Sequence, residues 1–485
     1  MNKKTVIIAI ILIVGIFTLF THHQLINSDS VSGFEVMNSY TWTGKFNTGL
    51  TYDKGAPVLK EYFLAWWSPG QYLAPAFFMK VFHVPLGVAI TLLNFVCMAV
   101  GSIGFFLVFE KYGFDKVTAL LSVVLILFSG TTLQRYYSYQ GGESLNFLVF
   151  PWIILMQPLF VRKYLNFLFP GLIVLFSFFC KLQLLIIVPT LILLLIATYL
   201  HDLDPVFPGK RKGSPVGVKG LIKAYVPPVI SIIGGLALIY WGFLVKDFTP
   251  ADPLKHPSFN VLNLLVPLAS PLTSIAVLGT GSDFLNAYTS AQKGYLLALS
   301  AGMLVIFVCL IKDLKEDDEQ RWNYKVITLF LYAFSVAAFT FLYSRGSAID
   351  FSTRHFKLSS FLLYPLMIDW LLRRKYRKVA LGLCGVLILC ALVNHIRLVR
   401  IWLSDTAVTS SGFRLSSRDM PLAQKERLDS VVKEKTVVVS RFEGRYAIDN
   451  QLILPVTRRE GDPTAIEAPG YPVLYLDPSG RLSKP

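Results

Sequence analysis

Apolar runs of membrane-spanning length recur along this chain, and they limit what it can fold into. The longest covers residues 165–200, LNFLFPGLIVLFSFFCKLQLLIIVPTLILLLIATYL, and contains one charged residue, Lys181. Only 16% of the chain is charged and 54% is hydrophobic, whereas soluble domains carry about 25% charged residues. Repeated runs of this kind predict an all-α protein that crosses a membrane many times.

The position of Lys181 determines the topology. A single helix over residues 165–200 would be about 54 Å long, against a hydrocarbon core of about 30 Å. Two spans with Lys181 at the turn between them fit better. The basic segments VRKY and PGKRKG, which flank the pair, then share the cytoplasmic side. Lys181 is therefore expected outside, where it either extends to the headgroups or faces a lipid phosphate.

The same alternation along the chain predicts about eleven spans, with a cytoplasmic amino terminus and an outer carboxy terminus. The predicted spans are 5–21, 84–109, 114–130, 144–161, 165–180, 182–200, 226–245, 295–311, 325–343, 358–372 and 379–395. The first resembles a signal peptide, but no small-residue cleavage site follows it, so we interpret it as an uncleaved anchor. We expect a multi-pass protein of a bacterial plasma membrane.

Two domains are predicted: a multispan domain over residues 1–400 and a small extracytoplasmic α/β module over residues 401–485. In the module, helix-like MPLAQKERLDSVVKEK precedes the strand-like runs TVVVS, QLILPV and PVLYLD. The multispan domain has long outer loops at 22–83 and 246–294. Long ordered loops usually carry function, so we expect the outer face to be the working face.

Composition excludes two other classes of site. The net charge is +16, but the basic residues form short clusters between spans, as in cytoplasmic loops. No basic stripe interleaved with aromatic residues is present, so nucleic-acid binding is not predicted. The five cysteines lie inside apolar runs without CxxC or Cys/His spacing, which predicts neither a disulfide framework nor a zinc site.

Two acidic residues stand at the start of outer elements. Asp29 follows the first span and precedes a helical pattern over residues 32–42; it either caps that helix or acts as a general base. Glu143 lies at the mouth of the fourth span, after a glycine pair and eight residues after Arg135. It caps the helix, pairs with Arg135, or belongs to a site.

The last outer loop, YSRGSAIDFSTRHFKLSSFLLYP, brings four basic residues to the membrane boundary. They are Arg345, Arg354, His355 and Lys357. One interpretation is a solvated linker whose basic side chains extend to the headgroups. The other is an anion clamp, because arginine presents a bidentate fork to phosphate.

Together these elements resemble the GT-C membrane glycosyltransferases, such as protein mannosyltransferases and aminoarabinose transferases. SDSVSGFEVMNSYTWTGKFNTG is similar to the family's acidic, helical first loop, and WWSPGQYLAPAFFMKVFHVPLGVA to its Pro-containing entry to the second span. Glu143 stands where the family has a second acidic residue, and Lys181 where it has a basic turn. STRHFKLSSFLLYPL is similar to its late arginine and following span. The resemblance covers residues 1–200 and, more loosely, 340–400.

The resemblance implies transfer of a sugar from a polyprenyl-phosphate donor to a glycan, lipid or protein acceptor at the outer face. It implies Asp29 and Glu143 as catalytic residues, Lys181, Arg345, Arg354 and Lys357 as donor phosphate ligands, and Glu35, Arg135 and His355 as accessory residues. Many family members have paired acids in the first loop, whereas Ser30 follows Asp29 here. The acceptor-activating role therefore rests on Asp29 or on Glu35. No metal is predicted, since two separated carboxylates are compatible with a shared divalent cation or with none.

The alternative function is a transporter or flippase of lipid-linked envelope precursors, and a non-catalytic assembly protein is a third possibility. Ion-coupled transporters place ionisable residues within spans near the midplane. Here the predicted span interiors are nearly free of charge, apart from Lys181 at a turn and Asp369 near a cytoplasmic end. Convergence of Asp29, Glu143 and Arg354 on one outer cavity would favour the enzyme.

Overall fold

The structure is a computed structural model and is predominantly helical. It describes residues 2–26, 28–52, 59–65, 68–156, 165, 167–190, 192–193, 218–246, 260–275, 290–314, 318–345, 355–372, 377–416, 420–440, 444–457, 468, 470–476 and 482–483. The side chains of Ser28 and Asp29 lie outside this description, as do Trp66, Trp67 and Arg354.

The helices, in chain order, are α1 (Lys3–Phe20), α2 (Ser28–Thr43), α3 (Gly70–Phe82), α4 (Leu86–Lys111), α5 (Lys116–Leu127), α6 (Gly130–Tyr137), α7 (Gly142–Met156), α8 (Phe169–Cys180), α9 (Val218–Gly242), α10 (Leu262–Ile275), α11 (Ser290–Asp313), α12 (Glu319–Ser344), α13 (Lys357–Leu372), α14 (Arg377–Ser404) and α15 (Leu422–Val431). The strands are β1 (Leu25–Ile26), β2 (Thr48–Tyr52), β3 (Leu59–Phe63), β4 (Ser138–Tyr139), β5 (Thr406–Val408), β6 (Arg414–Ser416), β7 (Thr436–Ser440), β8 (Ile453–Thr457), β9 (Val473–Leu476) and β10 (Leu482–Ser483). Short 3₁₀ turns cover Leu182–Ile186, Leu244–Lys246 and Gly444–Ala447.

Six of the described helices are long and apolar enough to cross a membrane. They contain the segments Lys3–Phe20, Leu86–Lys111, Val226–Lys246, Lys293–Asp313, Gln320–Ser344 and Arg377–Ser404. The predicted class, a helical membrane protein, is confirmed at this level. Helices α5, α7 and α8 are apolar but shorter, and much of the predicted span 182–200 lies outside the described residues, so the number of spans stays a prediction.

The outer loop predicted over 246–294 contains a helix, α10, that was not predicted from the sequence. Pro267 and Pro271 lie within this helix, and local propensity argues against a helix at such positions. Leu262 and Val266 are buried on one face, and α10 packs on α11, α12 and α13. Helix stability in proteins comes mostly from such packing, which local sequence does not reveal.

A small sheet joins three segments that are far apart in the chain. Its strand order is β4-β1-β6-β5, and β1 pairs in parallel with both β4 and β6. Strand β1 precedes α2, and β4 precedes α7. Because parallel strands run in the same direction, the residues that follow β1 and β4 leave the sheet at the same end. The pairing therefore brings the start of α2 near the start of α7.

At the helix ends away from this small sheet, oppositely charged residues contact each other. Lys3, at the start of α1, lies 2.8 Å from Glu110, at the end of α4. Near the end of α13, Asp369 lies 3.4 Å from Arg321, which also donates to the carbonyl of Gly113 at 2.9 Å. The predicted topology assigns these residues to one side of the membrane and the strands β1, β4 and β6 to the other. The structure groups them in the same way; which side is cytoplasmic stays a prediction.

The carboxy-terminal chain contains the three strands that its sequence predicts. Strands β7, β8 and β9 are parallel, and β10 pairs antiparallel with β9. Trp42 of α2 packs on this sheet and donates from Nε1 to the carbonyl of Gln451 at 2.9 Å. Buried Lys425 of α15 pairs with Asp429 and lies 3.0 Å from Asp449. Helix α2 thus connects the carboxy-terminal sheet to the start of the chain.

Gly87, at the start of α4, packs against the backbone between β5 and β6. A Cβ at Gly87 would lie 2.1 Å from the carbonyl carbon of Gly412 and 2.3 Å from the nitrogen of Phe413. We expect Gly87→Ala to destabilise the fold by about 1–3 kcal/mol, the cost of overpacking. The measurement is the thermal unfolding midpoint of the purified protein in detergent, which should fall.

Gly385→Ala in α14 is the matched control. A Cβ there meets no atom within 4 Å, and alanine forms helices better than glycine, so the midpoint should not fall. Equal midpoints for the two variants would contradict the packing at the start of α4.

Candidate functional site

Glu143 lies in the first turn of α7, and its side chain is only 2% exposed. Its Oε2 is 2.8 Å from the Nζ of Lys357, the first residue of α13, which is 1% exposed. Its Oε1 accepts a hydrogen bond from the Nζ of Lys181, which follows α8. Three separate parts of the chain therefore meet at one carboxylate.

Arg135 of α6 adds a third cation. Its side chain is fully buried, with the guanidinium carbon 5.0 Å from the ring centre of Phe147. None of its three guanidinium nitrogens has a hydrogen-bond partner. Burial lowers the pKa of Arg135 to about 10, and nearby Glu143 opposes that shift. Arg135 is therefore a cation at neutral pH with unused donors.

We call Arg135, Glu143, Lys181 and Lys357 the cation cluster. Burial, and then the nearby Arg135, lower the pKa of Lys357, and Glu143 opposes that shift. Three basic side chains therefore lie around one carboxylate among the side chains described here. Burying an ion costs several kcal/mol, roughly, unless it is paired, and one carboxylate cannot pair with all three. The cluster therefore favours an added anion, and an arginine fork suits phosphate.

Two glycines allow this convergence. Gly142 brings α7 against the end of α8, because a Cβ there would lie 2.5 Å from the carbonyl oxygen of Cys180. Gly141 has a φ of 54°, which glycine adopts without strain. Helix α8 ends at Cys180, and Lys181 is extended, with φ −168° and ψ 130°. The helix therefore breaks at Lys181, where a turn between two spans is predicted, and the side chain of Lys181 pairs with Glu143.

Two polar side chains hold the backbone at Arg135. Gln24 donates to the carbonyls of Arg135 and Tyr136 at 3.3 and 3.1 Å. Asn94 of α4 donates to the same Arg135 carbonyl at 3.1 Å and accepts from Ser144 at 2.9 Å. These bonds attach α6 to α4 and α7, so the position of Arg135 follows from the packed fold.

Of the two predicted catalytic acids, only Glu143 has a described side chain. The backbone of Asp29 lies in the first turn of α2. The next residue, Ser30, is fully buried, and a Cβ added at Gly141 would lie 2.8 Å from its Oγ. The start of α2 therefore lies beside the glycine turn that precedes Glu143.

The residues predicted to bind the donor phosphate do not all lie at one place in the structure. Lys181 and Lys357 both contact Glu143. Arg345, at the end of α12, is exposed, with its guanidinium carbon 5.9 Å from the ring centre of Phe341. Arg354 lies outside the described residues. The two lysines are thus in the cluster, and Arg345 has a surface position.

The three predicted accessory residues have different surroundings. Arg135 belongs to the cation cluster. Glu35 is half-buried and lies within electrostatic range of Tyr62 and Tyr446, whose pKa values are raised mainly by burial. This places Glu35 between the β2–β3 hairpin and the carboxy-terminal chain. His355 stacks on the ring of Phe339, with 5.3 Å between centroids.

A narrow apolar cleft lies next to Lys357. It is lined by Phe150, Leu184, Ile186, Ile187, Leu331, Ser335, His355, Leu358 and Ser359. These residues come from α7, the chain after Lys181, α12, and the start of α13. Mostly apolar walls with few polar groups suit a hydrocarbon chain.

Several buried polar residues around the cluster were not predicted from the sequence. Asn146, one helical turn after Glu143, is 1% exposed, and neither of its amide atoms has a hydrogen-bond partner. Gln71 is 3% exposed, and its Nε2 also has none. The available signal was an amide inside an apolar run, as for Asn94 and Asn146, because polar residues inside spans are usually functional. In the described part of the chain, no three His, Cys, Asp or Glu residues are grouped to hold a metal ion.

Compared with known proteins, the chain matches no protein-family model and no curated sequence. The functional assignment therefore depends on the geometry of the site.

The excess of basic groups over carboxylates in the cluster predicts which of two substitutions destabilises the protein more. Glu143→Gln leaves Lys181 and Lys357 without the carboxylate that they contact, whereas Lys357→Met removes one of the three basic groups around that carboxylate. Uncompensated buried charge is strongly destabilising, by about 3–5 kcal/mol. We expect Glu143→Gln to lower the thermal unfolding midpoint more than Lys357→Met does. A Lys357→Met variant at least as unstable as Glu143→Gln would show that the lysine is needed to balance the carboxylate.

Proposed function

We propose that this chain is a membrane glycosyltransferase that transfers a sugar from a polyprenyl-phosphate donor to an acceptor on the outer face. The observation that carries the proposal is the cation cluster, in which buried Lys357 and partly exposed Lys181 contact the carboxylate of Glu143 and buried Arg135 lies nearby with unused donors. An anion that reaches this site would accept hydrogen bonds from the guanidinium of Arg135. The GT-C resemblance of residues 1–200 supports the same function.

In this proposal, the donor phosphate binds Arg135 and the two lysines. Arg135 supplies the unused guanidinium donors, and paired N–H groups bind phosphate in a bidentate manner. The polyprenyl chain lies along the apolar side chains that line the cleft next to Lys357. Basic groups for the headgroup and an apolar surface for the tail are thus neighbours in this proposal.

The reaction is a single displacement at the anomeric carbon of the sugar. The acceptor hydroxyl oxygen forms the new bond, and the bond from that carbon to the phosphate oxygen breaks. The electron pair leaves with the phosphate, where the cations of the cluster stabilise the developing charge. The hydroxyl proton passes to the carboxylate of Asp29, acting as general base. Displacement in one step inverts the anomeric centre.

Glu143, predicted from sequence as a second catalytic acid, takes a different role in this proposal. Both of its oxygens contact lysine ammonium groups. We assign it as the counterion that holds Lys181 and Lys357 in position for the phosphate. Asp29 is then the acid that contacts the acceptor.

The finer topology also belongs to the proposal. The chain crosses a bacterial plasma membrane about eleven times, with its amino terminus in the cytoplasm. The α/β module over 401–485 lies outside and covers the site through its contacts with α2. The acceptor is a glycan, a lipid or a protein.

The placement of charge favours the enzyme over a transporter. Transporters bind their coupling ions near the membrane midplane. Glu143 and Lys357 instead lie in the first turns of α7 and α13, and Lys181 directly follows α8. The described charges of the site therefore lie at the ends of helices.

Removing the guanidinium should weaken donor binding. Hydrogen bonds to charged groups contribute about 1.5–3 kcal/mol, so we expect Arg135→Gln to raise the Kd for farnesyl phosphate about 10- to 100-fold. Isothermal titration of the full chain in detergent measures this. Arg397→Gln, at an exposed arginine of α14, should bind as the wild type does. Unchanged binding by Arg135→Gln would refute the phosphate site.

Asp29→Asn should abolish transfer and leave donor binding intact, because the amide cannot accept the proton. The assay follows release of farnesyl phosphate from farnesyl phosphoryl glucose, galactose and mannose, with membrane extract as the source of acceptors. Glu61→Gln, at an exposed carboxylate paired with Lys45, is the control. Full activity of Asp29→Asn together with loss in Glu35→Gln would move the general base to Glu35.

A further inference from the structure

A second group of unpartnered polar atoms lies beside Gly141, the residue before the glycine that contacts Lys181. Ser30 is fully buried and Gln71 is 3% exposed. The Oγ of Ser30 and the Nε2 of Gln71 have no hydrogen-bond partner. A Cβ at Gly141 would lie 2.7 Å from the Oε1 of Gln71 and 2.8 Å from the Oγ of Ser30. Both side chains therefore reach the same turn, at Gly141, two residues before Glu143 of the cation cluster.

The surrounding fold holds these two side chains firmly. Helices α2 and α3 approach closely, because a Cβ at Gly33 would lie 2.4 Å from the Tyr72 ring. The hydroxyl of Tyr139 in β4 donates to the carbonyl of Gln71 at 2.5 Å. Ser30 and Gln71 each lie in the first turn of their helix. The unpartnered atoms are thus not on mobile surface chains that could turn to solvent.

Buried hydroxyls and amides in proteins nearly always have hydrogen-bond partners, because burial without one is unfavourable. Two such groups at one turn, next to a cluster that favours phosphate, indicate a polar ligand group attached to that phosphate. A hydroxyl and a carboxamide are uncharged, and each both donates and accepts. These are the properties needed to recognise sugar hydroxyls.

We propose that Ser30 and Gln71 form, with the Gly141 turn, a subsite for the hydroxyls of the donor sugar, and that this sugar is neutral rather than an amino sugar. The inference rests on the proposed function and specifies its substrate class. The charge of the site selects against an amino sugar, because its ammonium group would lie close to the basic side chains of Arg135, Lys181 and Lys357. The subsite itself offers no carboxylate among its described side chains.

The test uses the full chain in detergent and isothermal titration. The probes are bare farnesyl phosphate and the farnesyl phosphoryl derivatives of glucose, galactose and mannose, each compared with its 2-amino-2-deoxy counterpart. We expect wild type to bind the best neutral derivative at least about tenfold more tightly than its amino counterpart, because the neighbouring basic side chains repel the ammonium group.

Three variants test the residues. Ser30→Ala and Gln71→Leu should each weaken binding of the neutral derivative about five- to tenfold and leave bare farnesyl phosphate unchanged. Gln71→Glu keeps the side-chain shape and adds a carboxylate, so it should shift the preference towards the amino derivatives. Ser39→Ala is the matched control, since Ser39 is another fully buried serine of α2 with an unpartnered Oγ.

The outcomes separate the two proposals. If Ser30→Ala binds the neutral derivatives as well as Ser39→Ala does, or if wild type prefers the amino derivatives, the subsite is refuted while the phosphate site stands. If wild type binds no farnesyl phosphate at all, the proposed function fails, and the subsite fails with it. Thermal unfolding midpoints close to that of wild type confirm that each variant is folded.

Discussion

The contact of Glu143 with Lys181 and Lys357 is the interaction on which the described site depends. It joins α7, the chain after α8 and the start of α13, three parts that are distant in sequence. It forms because Gly142 has no side chain to keep α7 away from the carbonyl of Cys180. The carboxylate of Glu143 does not pair with every basic group around it, since Arg135 lies close by with its hydrogen-bond donors unused. The fold thus brings several basic side chains together in a largely buried place.

Such a cluster is better explained by ligand binding than by stability. Buried ion pairs are often no more stabilising than hydrophobic residues of similar volume, because desolvation offsets their attraction. A surplus of buried cations is less favourable still. The hydrogen bonds of Gln24 and Asn94 to the carbonyl of Arg135 fix the position of this residue near the two lysines. Preorganised donors of this kind are what the charge on a leaving phosphate requires, and the neighbouring cleft has mostly apolar walls.

Several elements were predictable because their signals are local. The helical pattern after Asp29 became α2, the β-rich runs became β7, β8 and β9, and the lysine within residues 165–200 became a break after α8. Glu143, Lys181 and Lys357 were singled out by their position at the ends of apolar runs. Helix α10 was missed because its two prolines argue against a helix, and because the face that stabilises it is buried only by packing on α11, α12 and α13. Ser30 and Gln71 were missed because a serine and a glutamine in an outer loop are ordinary until the fold buries them.

By itself, the sequence determined the membrane class, the approximate positions of the apolar helices, and which charged residues stand at helix ends. These follow from composition and periodicity, because a hydrocarbon environment imposes strict demands on every residue of a span. Only the tertiary structure decided which of those charges meet, that Arg135 belongs with them, and that Arg345 lies on the surface instead. Those outcomes depend on the parallel pairing of β1 with β4 and on the close approach at Gly141 and Gly142, contacts between distant residues that no local pattern encodes.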